Sequence, residues 1–277
     1  MHILISNYHS AETDDSALQC GLALAKDSGA DCTLLYVIAR PGERQQGHAA
    51  LQAMQARAEA LGVSATSEMR LGLLAEQIVH FANEADSNLI IMGDAKPDVF
   101  FGQLLAPPSE RVLANAPCPV LIVRGLVRPP RKWLVLHSGQ EAMRTLPSLL
   151  KSVGPLLSPG TQVTLLHVMS EMAASYSVSG WELSATAEEL IAQGTQEGDW
   201  LKQGVGFFES YAGVAARPKV RHGTVVEEIL AELHEGDYDL VVFGSHVGRG
   251  WQELLTDNVA KQLLQLSSVS ALVVQRS

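Results

Sequence analysis

Cysteine is scarce in this chain. The three present, Cys20, Cys32 and Cys118, all fall in the first half and show no CxxC spacing. That excludes a disulfide framework and leaves reduced thiols in a cytosolic protein as the expected state. Basic residues are outnumbered, with 20 Lys and Arg against 30 Asp and Glu, a net charge of −10 and a pI near 5.3. A non-specific grip on DNA or RNA needs a basic face, so nucleic acid is not an expected partner. One local basic stretch (Arg124, Arg128, Arg131, Lys132) reads as a solvated linker. No apolar run approaches the ~20 residues that span a bilayer. The N-terminal MHILISNYHS is too short and too polar for a signal peptide, so the expected location is cytoplasmic. GxSxG, GKS/T and HExxH are all absent, and no enzymatic activity is expected.

What is present is a duplication. Around Arg70 the chain reads RLGLLAEQIVHFANEADSNLIIMGD, and 151 positions later, around Arg221, it reads RHGTVVEEILAELHEGDYDLVVFGS. Eight of the 24 positions from Arg70 to Gly93 equal their partners: Arg70/Arg221, Gly72/Gly223, Glu76/Glu227, Ile78/Ile229, Glu84/Glu235, Asp86/Asp237, Leu89/Leu240 and Gly93/Gly244. A unit this long is a duplicated domain rather than a short solenoid repeat. Two domains also fit the length of 277 residues, and a 47% hydrophobic, 18% charged composition lets each bury its own core. The expected division is 1–126 and 127–277, with Gly125 to Lys132 as the linker.

Each copy alternates strand-like and helix-like segments. The first runs Ile3–Ile5, Asp14–Lys26, Cys32–Ile38, Ala49–Leu61, Val63–Arg70, Leu74–Glu84, Leu89–Met92, Ser109–Ala114 and Val120–Val123. The second repeats this order from Trp133–Leu136 to Ala271–Val274, with a third strand at Lys219–Arg221 and a long helical stretch, Thr186–Tyr211, broken by glycines. Alternating βαβ units predict a parallel sheet with helices on both faces. Leu34 to Val37 match Leu165 to Val168 at an offset of 131, whereas the later block matches at 151. The second copy therefore carries about 20 extra residues between Met169 and Tyr211, starting near Ser170–Gly180. That insertion is expected to be ordered by burial of Trp181, Leu183 and Trp200. Arg70 and Arg221 are expected to pair with acids across the copies, and Glu76 and Glu227 to sit in first helical turns, where the helix dipole favours acid.

The pattern ending in Ser109-Glu110-Arg111-Val112-Leu113-Ala114-Asn115-Ala116-Pro117-Cys118-Pro119-Val120-Leu121-Ile122-Val123, with Asp239-Leu240-Val241-Val242-Phe243-Gly244-Ser245-His246 in the second copy, resembles the universal stress protein family. The resemblance covers nearly the whole chain as two tandem domains. It implies an α/β fold of two five-stranded parallel sheets in α/β sandwiches, strand order 3-2-1-4-5, of the adenine-nucleotide-hydrolase type. It implies a stress-response role. It also implies pairing through fifth strands, here as an intrachain pseudo-dimer or as a homodimer.

Some members of that family bind ATP with a loop patterned G-x-x-G-(x)9-G-(S/T), in which glycines let backbone amides approach phosphate at a helix start. In the first copy Gly93 opens the pattern, but Lys96 follows and Ala106-Pro107, then Pro108, close it. Proline has no N–H, so donors are lost at that helix start. In the second copy Gly244 is followed by Val247, and Asp257-Asn258 stand at the close, where an acid caps its own helix and repels a triphosphate. The Asp that ATP-binding relatives place after the first strand is replaced near Asn7-Tyr8 and His137-Ser138. The expectation is a non-catalytic chain with degraded ATP motifs, no cofactor, and an unidentified small ligand or protein partner. The alternative is an ATP-binding sensor using Gly244, Ser245, His246, Gly248, Arg249 and Gly250 of the second copy. A third reading takes His137, His167, His222 and His246, at or past the carboxyl ends of neighbouring strands. Strands lie about 4.8 Å apart, so these imidazoles can converge on a small anion or a Zn²⁺. Ser138-Gly139 lacks the second Gly and the Asp-Ser of a pyrophosphatase-type loop.

Overall fold

A computed structural model describes residues 1–8, 15–94, 99–100, 103–104, 106–169, 181, 184–244 and 258–274. The chain divides into two compact units, one of residues 1–129 with 272–275 and the other of residues 130–271 with 276–277.

In the first unit β1 (His2–Tyr8), α1 (Ser16–Ser28), β2 (Asp31–Ile38), α2 (Arg44–Leu61), β3 (Ala65–Leu71), α3 (Leu74–Glu84) and β4 (Leu89–Gly93) alternate. A two-stranded antiparallel hairpin follows, β5 (Val99–Phe100) with β6 (Gln103–Leu104), then α4 (Pro108–Asn115) and β7 (Val120–Val123). The sheet order is β3-β2-β1-β4-β7. Strands β2, β4 and β7 are almost continuously buried, which is why they read as unbroken apolar runs. Helices α1 and α2 stop where Gly29 (φ 62°) and Gly62 (φ 70°) take the left-handed conformation that closes a helix.

The second copy contains β8 (Lys132–His137), α5 (Gln140–Val153), β9 (Gln162–Met169), α6 (Ala187–Ala192), α7 (Gln196–Glu209), β10 (Ala215–His222), α8 (Val225–Glu235), β11 (Leu240–Gly244), α9 (Asn258–Leu266) and β12 (Ser270–Val274). Its sheet order is β10-β9-β8-β11-β12. Both copies therefore have the 3-2-1-4-5 order that the resemblance implied. The registers repeat as well. Ile3 stands opposite Leu89 as Trp133 stands opposite Leu240, and Tyr36 opposite Met69 as His167 opposite Val220. Asn88 Oδ1 accepts from the His2 amide at 2.7 Å, and its counterpart Asp239 Oδ2 accepts from the Lys132 amide at 3.0 Å, so each fourth strand fixes the start of its first strand.

The Thr186–Tyr211 stretch is broken at a glycine as expected, into two helices. Thr186 and Glu189 form a capping box on α6, Gly194 turns the chain at φ 64°, and Thr195 caps α7 by accepting from the Gly198 amide. Several differences from the sequence reading have local causes. Strand β10 extends well beyond Lys219–Arg221 because Pro218 is tolerated on an edge strand. Helix α5 begins at Gln140 rather than Leu146, with Pro147 inside it at the cost of one backbone hydrogen bond. Trp181 is exposed rather than buried, Trp200 is half-buried, and Leu183 lies outside the described residues, as does Ser170–Gly180. The basic stretch is not simply a solvated linker. Lys132 opens β8 and pairs with Asp237 at 2.5 Å, and the Arg124 side chain is largely buried against Asp94.

The repeated Arg and Gly have structural roles. Gly72 (φ 148°) and Gly223 (φ 140°) make the turn after each third strand, a conformation that favours glycine. Arg70 pairs with Glu84 at 2.8 Å, and Arg221 with Glu228, Glu232 and Glu235 at 2.7–2.9 Å. Each arginine finds its acids within its own copy rather than in the other. Glu76 and Glu227 lie in first turns as expected.

Candidate functional site

In open α/β sheets ligands bind beyond the carboxyl ends of the strands. In the first unit that edge is occupied by the chain itself. Asp94 follows β4, and its Oδ2 accepts from Nε and Nη2 of Arg124, both at 3.0 Å. Its Oδ1 accepts from the Ser109 hydroxyl at 3.3 Å. Ser109 is in the first turn of α4, whose cap and first helical residue are Pro107 and Pro108. The start of this helix thus lacks two N–H groups and faces a carboxylate that is already present. Gly93 ends β4 as expected, Ala106 is exposed, and Lys96 lies outside the described residues. The role of Asp94 was not legible from spacing, because its partners lie 15 and 30 positions away.

In the second unit Gly244 ends β11 and is exposed, while Asn258 begins α9. Ser245, His246, Gly248, Arg249, Gly250 and Asp257 lie outside the described residues. The other three histidines do stand at neighbouring strand ends. His137 and His167 share a register position, and His222 lies two residues beyond the partner of His167, which puts all three on one face of the sheet.

Hydrogen bonds assign their tautomers. His137 Nδ1 accepts from the Gly139 amide at 3.2 Å, so its ring proton sits on Nε2. That N–H is buried and has no partner among the described residues. His167 Nδ1 faces the His137 carbonyl at 2.9 Å and must donate to it. The two rings meet edge to face, centroids 5.9 Å apart. His222 Nε2 donates to the Ala185 carbonyl at 2.9 Å, leaving a buried, unpartnered lone pair on Nδ1 among the described residues. Burial, reinforced by His167, pushes His137 down to about 4. Burial also lowers His167, against the opposing pull of the His137 carbonyl and Glu197. A neutral His137 offering one N–H, beside the unpartnered His222 Nδ1, suits a polar ligand. Among the described residues no group of three or more His, Cys, Asp or Glu is placed to hold a metal ion. Ser138 is exposed beside this site, and the Trp200 ring lies against Gly139 (φ 65°), so α7 covers the turn after β8.

The fold defines a parallel-sheet α/β protein built twice. The universal stress protein family matches the chain over residues 2–124 and again over 151–275. The chain belongs to that family, whose role is in the stress response. A universal stress protein of Methanocaldococcus jannaschii is 38% identical over 81 residues, covering 29% of this chain and 48% of that protein, so the match spans about half of that relative. A universal stress protein structure from Archaeoglobus fulgidus is similar over 100% of this chain and 96% of its own, with a TM-score of 0.63 at 17% identity. A functionally unknown protein from Pseudomonas aeruginosa is similar over 99% and 92%, with a TM-score of 0.67 at 18% identity. At these identities the structural likeness concerns the fold. Among the described residues no helix is long and apolar enough to cross a membrane.

Proposed function

We propose that this chain is a non-catalytic tandem universal stress protein with degraded ATP motifs, acting in regulation or protection through small-ligand sensing or protein contacts and needing no cofactor. The observation that carries the reading is the start of α4. Pro107 and Pro108 remove N–H donors there, and the Asp94 carboxylate, held by Ser109 and Arg124, already faces that end. The carboxylate alone repels a phosphate at about 4 Å by roughly 1–4 kcal/mol per charge pair at effective dielectrics of 80 to 20, an upper bound that the paired Arg124 reduces. In the second unit, His137 stands where ATP-binding relatives carry an Asp, and it supplies one buried N–H instead of a carboxylate.

The test is a melting series on the purified full chain with Mg-ATP up to millimolar concentration. The reading expects no shift and no phosphate release. A saturable rise in the melting temperature contradicts it, because any ligand held by the folded state alone stabilises that state. A second reading, a small polar ligand at the histidines, is favoured by the unspent His137 Nε2–H. It expects His137→Ala to abolish the response to a ligand that still leaves ATP binding absent.

A further inference from the structure

A concavity lies at the amino-terminal edge of the second sheet, away from the strand-end histidines. It is a cleft of about 590 Å³ between the starts of β8, β9 and β10 and the carboxyl end of α8. Its volume falls within the range of small-molecule sites. Side chains alternate along a strand, so Arg217, Lys219 and Arg221 share one face of β10. The opposite face carries Val220, which packs on the core of Met169, Ala185 and Leu190.

The cleft is lined by three cations (Lys132, Arg217, Lys219) and three carboxylates (Glu232, Glu235, Asp237), and Arg217 differs from the other cations in its partners. Lys132 pairs with Asp237 at 2.5 Å, Lys219 with Glu232 at 2.6 Å, and Glu235 with Arg221 at 2.8 Å. Glu232, 1% exposed, also accepts from Arg221 and from the Tyr238 hydroxyl at 2.6 Å. Arg217 is exposed and has no ion pair among the described residues. It is nevertheless held in place. Its Nε donates to Thr164 Oγ1 at 3.2 Å. A guanidinium has five N–H donors, so most of this fork remains unspent.

The first unit supplies the contrast. Thr66 stands where Arg217 is, Glu68 where Lys219 is, Phe81 where Glu232 is and Ser87 where Tyr238 is. There, short side chains satisfy one another: His2 Nε2 meets Thr33 Oγ1 at 2.9 Å, Thr33 Oγ1 meets Thr66 Oγ1 at 2.8 Å, and His2 Nδ1 meets Ser87 Oγ at 3.2 Å.

The geometry points to the second-unit cleft as a binding site for a small monoanion, a molecule presenting one carboxylate or phosphate group to the oriented guanidinium of Arg217. Arg217 lacks a direct ion pair among the described residues and keeps most of its donors free, and a planar fork suits a planar or tetrahedral oxyanion. The exposed carboxylates of Glu235 and Asp237 disfavour polyanions such as triphosphates or nucleic acid. The site is independent of the strand-end histidines.

The test titrates the full chain, in separate arms, with inorganic phosphate and with acetate, reading the Arg217 Nε–H resonance and the heat of binding. One arm is expected to saturate at a single site per chain, and which arm does so identifies the oxyanion. Arg217→Gln should weaken that binding by at least about tenfold, the weight of a charge-assisted hydrogen bond. Arg217→Lys should stay weakened, because an ammonium keeps the charge but not the fork. The proposal is overturned if neither probe moves the wild-type Arg217 signal saturably, or if Arg217→Gln binds as wild type. It is equally overturned if two sites per chain are filled.

Discussion

Replacing Glu232 probes how the second unit holds an acid that its twin does without. Glu232 is almost completely buried and accepts three hydrogen bonds, from Lys219, Arg221 and Tyr238. Burial alone would raise its carboxyl, but the hydrogen bonds from those three groups outweigh burial and hold it below the usual range. Removing one partner of a buried ion pair costs about 3–5 kcal/mol. Here the cost is smaller. Arg221 keeps Glu228 and Glu235, and the Lys219 side chain is 38% exposed and can turn to water. Glu232→Ala is therefore expected to cost about 2–3 kcal/mol, much of it from the stranded Tyr238 hydroxyl. Glu232→Phe recreates the first unit, where Arg70 sits 5.2 Å above the Phe81 ring. A cation–π contact of about 0.5–1 kcal/mol and retained packing should make it about 1 kcal/mol milder than alanine. Tryptophan fluorescence in urea is the natural assay. All four tryptophans (Trp133, Trp181, Trp200 and Trp251) lie in the second copy, so the signal reports that unit. With a slope of about 1–3 kcal/mol per molar urea, the alanine variant should shift the midpoint by about 0.7–3 M. An alanine variant within about 0.5 kcal/mol of wild type, or a phenylalanine variant no milder than alanine, refutes the reasoning.

Other outcomes follow from the same contacts. His137 is held down to about 4, below the ordinary 6.5, so the unfolded chain takes up the proton first. Its contribution is intact above about pH 6.5 and is lost as pH falls toward about 4, by at most about 3 kcal/mol. His137→Gln should flatten that part of the pH dependence, read as urea midpoints at about pH 7 and about pH 5; an unchanged slope counts against it. A methyl group at Gly198 would lie 2.3 Å from the Leu190 carbonyl oxygen, a backbone atom that cannot rotate away. Gly198→Ala should therefore cost about 1–3 kcal/mol or more. Gly206→Ala, on the same helix with nothing within 4 Å, should be neutral or gain up to about 1 kcal/mol. Calorimetric melting separates the two, and equal melting temperatures contradict the packing argument.

Much of the fold was legible because the chain carries its own comparison. The offset of 151 aligned Leu89 with Leu240 and Gly72 with Gly223, and the registers opposite Ile3 and Trp133 repeat accordingly. Buried parallel strands announce themselves as apolar runs. The hairpin of Val99–Phe100 with Gln103–Leu104 did not, since two-residue strands have no period to detect. Asp94 was missed because the partners that fix it, Ser109 and Arg124, lie on other elements. Glu232 had a signal that went unread: it replaces Phe81 on the buried face of an otherwise matching helix, and an acid there requires cations on the neighbouring strand. His137, His167 and His222 do stand at neighbouring strand ends, but the tautomers of His167 and His222 depend on backbone carbonyls at His137 and Ala185 that periodicity does not reveal.

The most direct measurement is a count of nucleotide bound to the full chain by equilibrium dialysis against radiolabelled ATP with magnesium. The account predicts equal label on both sides of the membrane at millimolar ATP. Retention of one or two nucleotides per chain, displaced by unlabelled ATP, contradicts it.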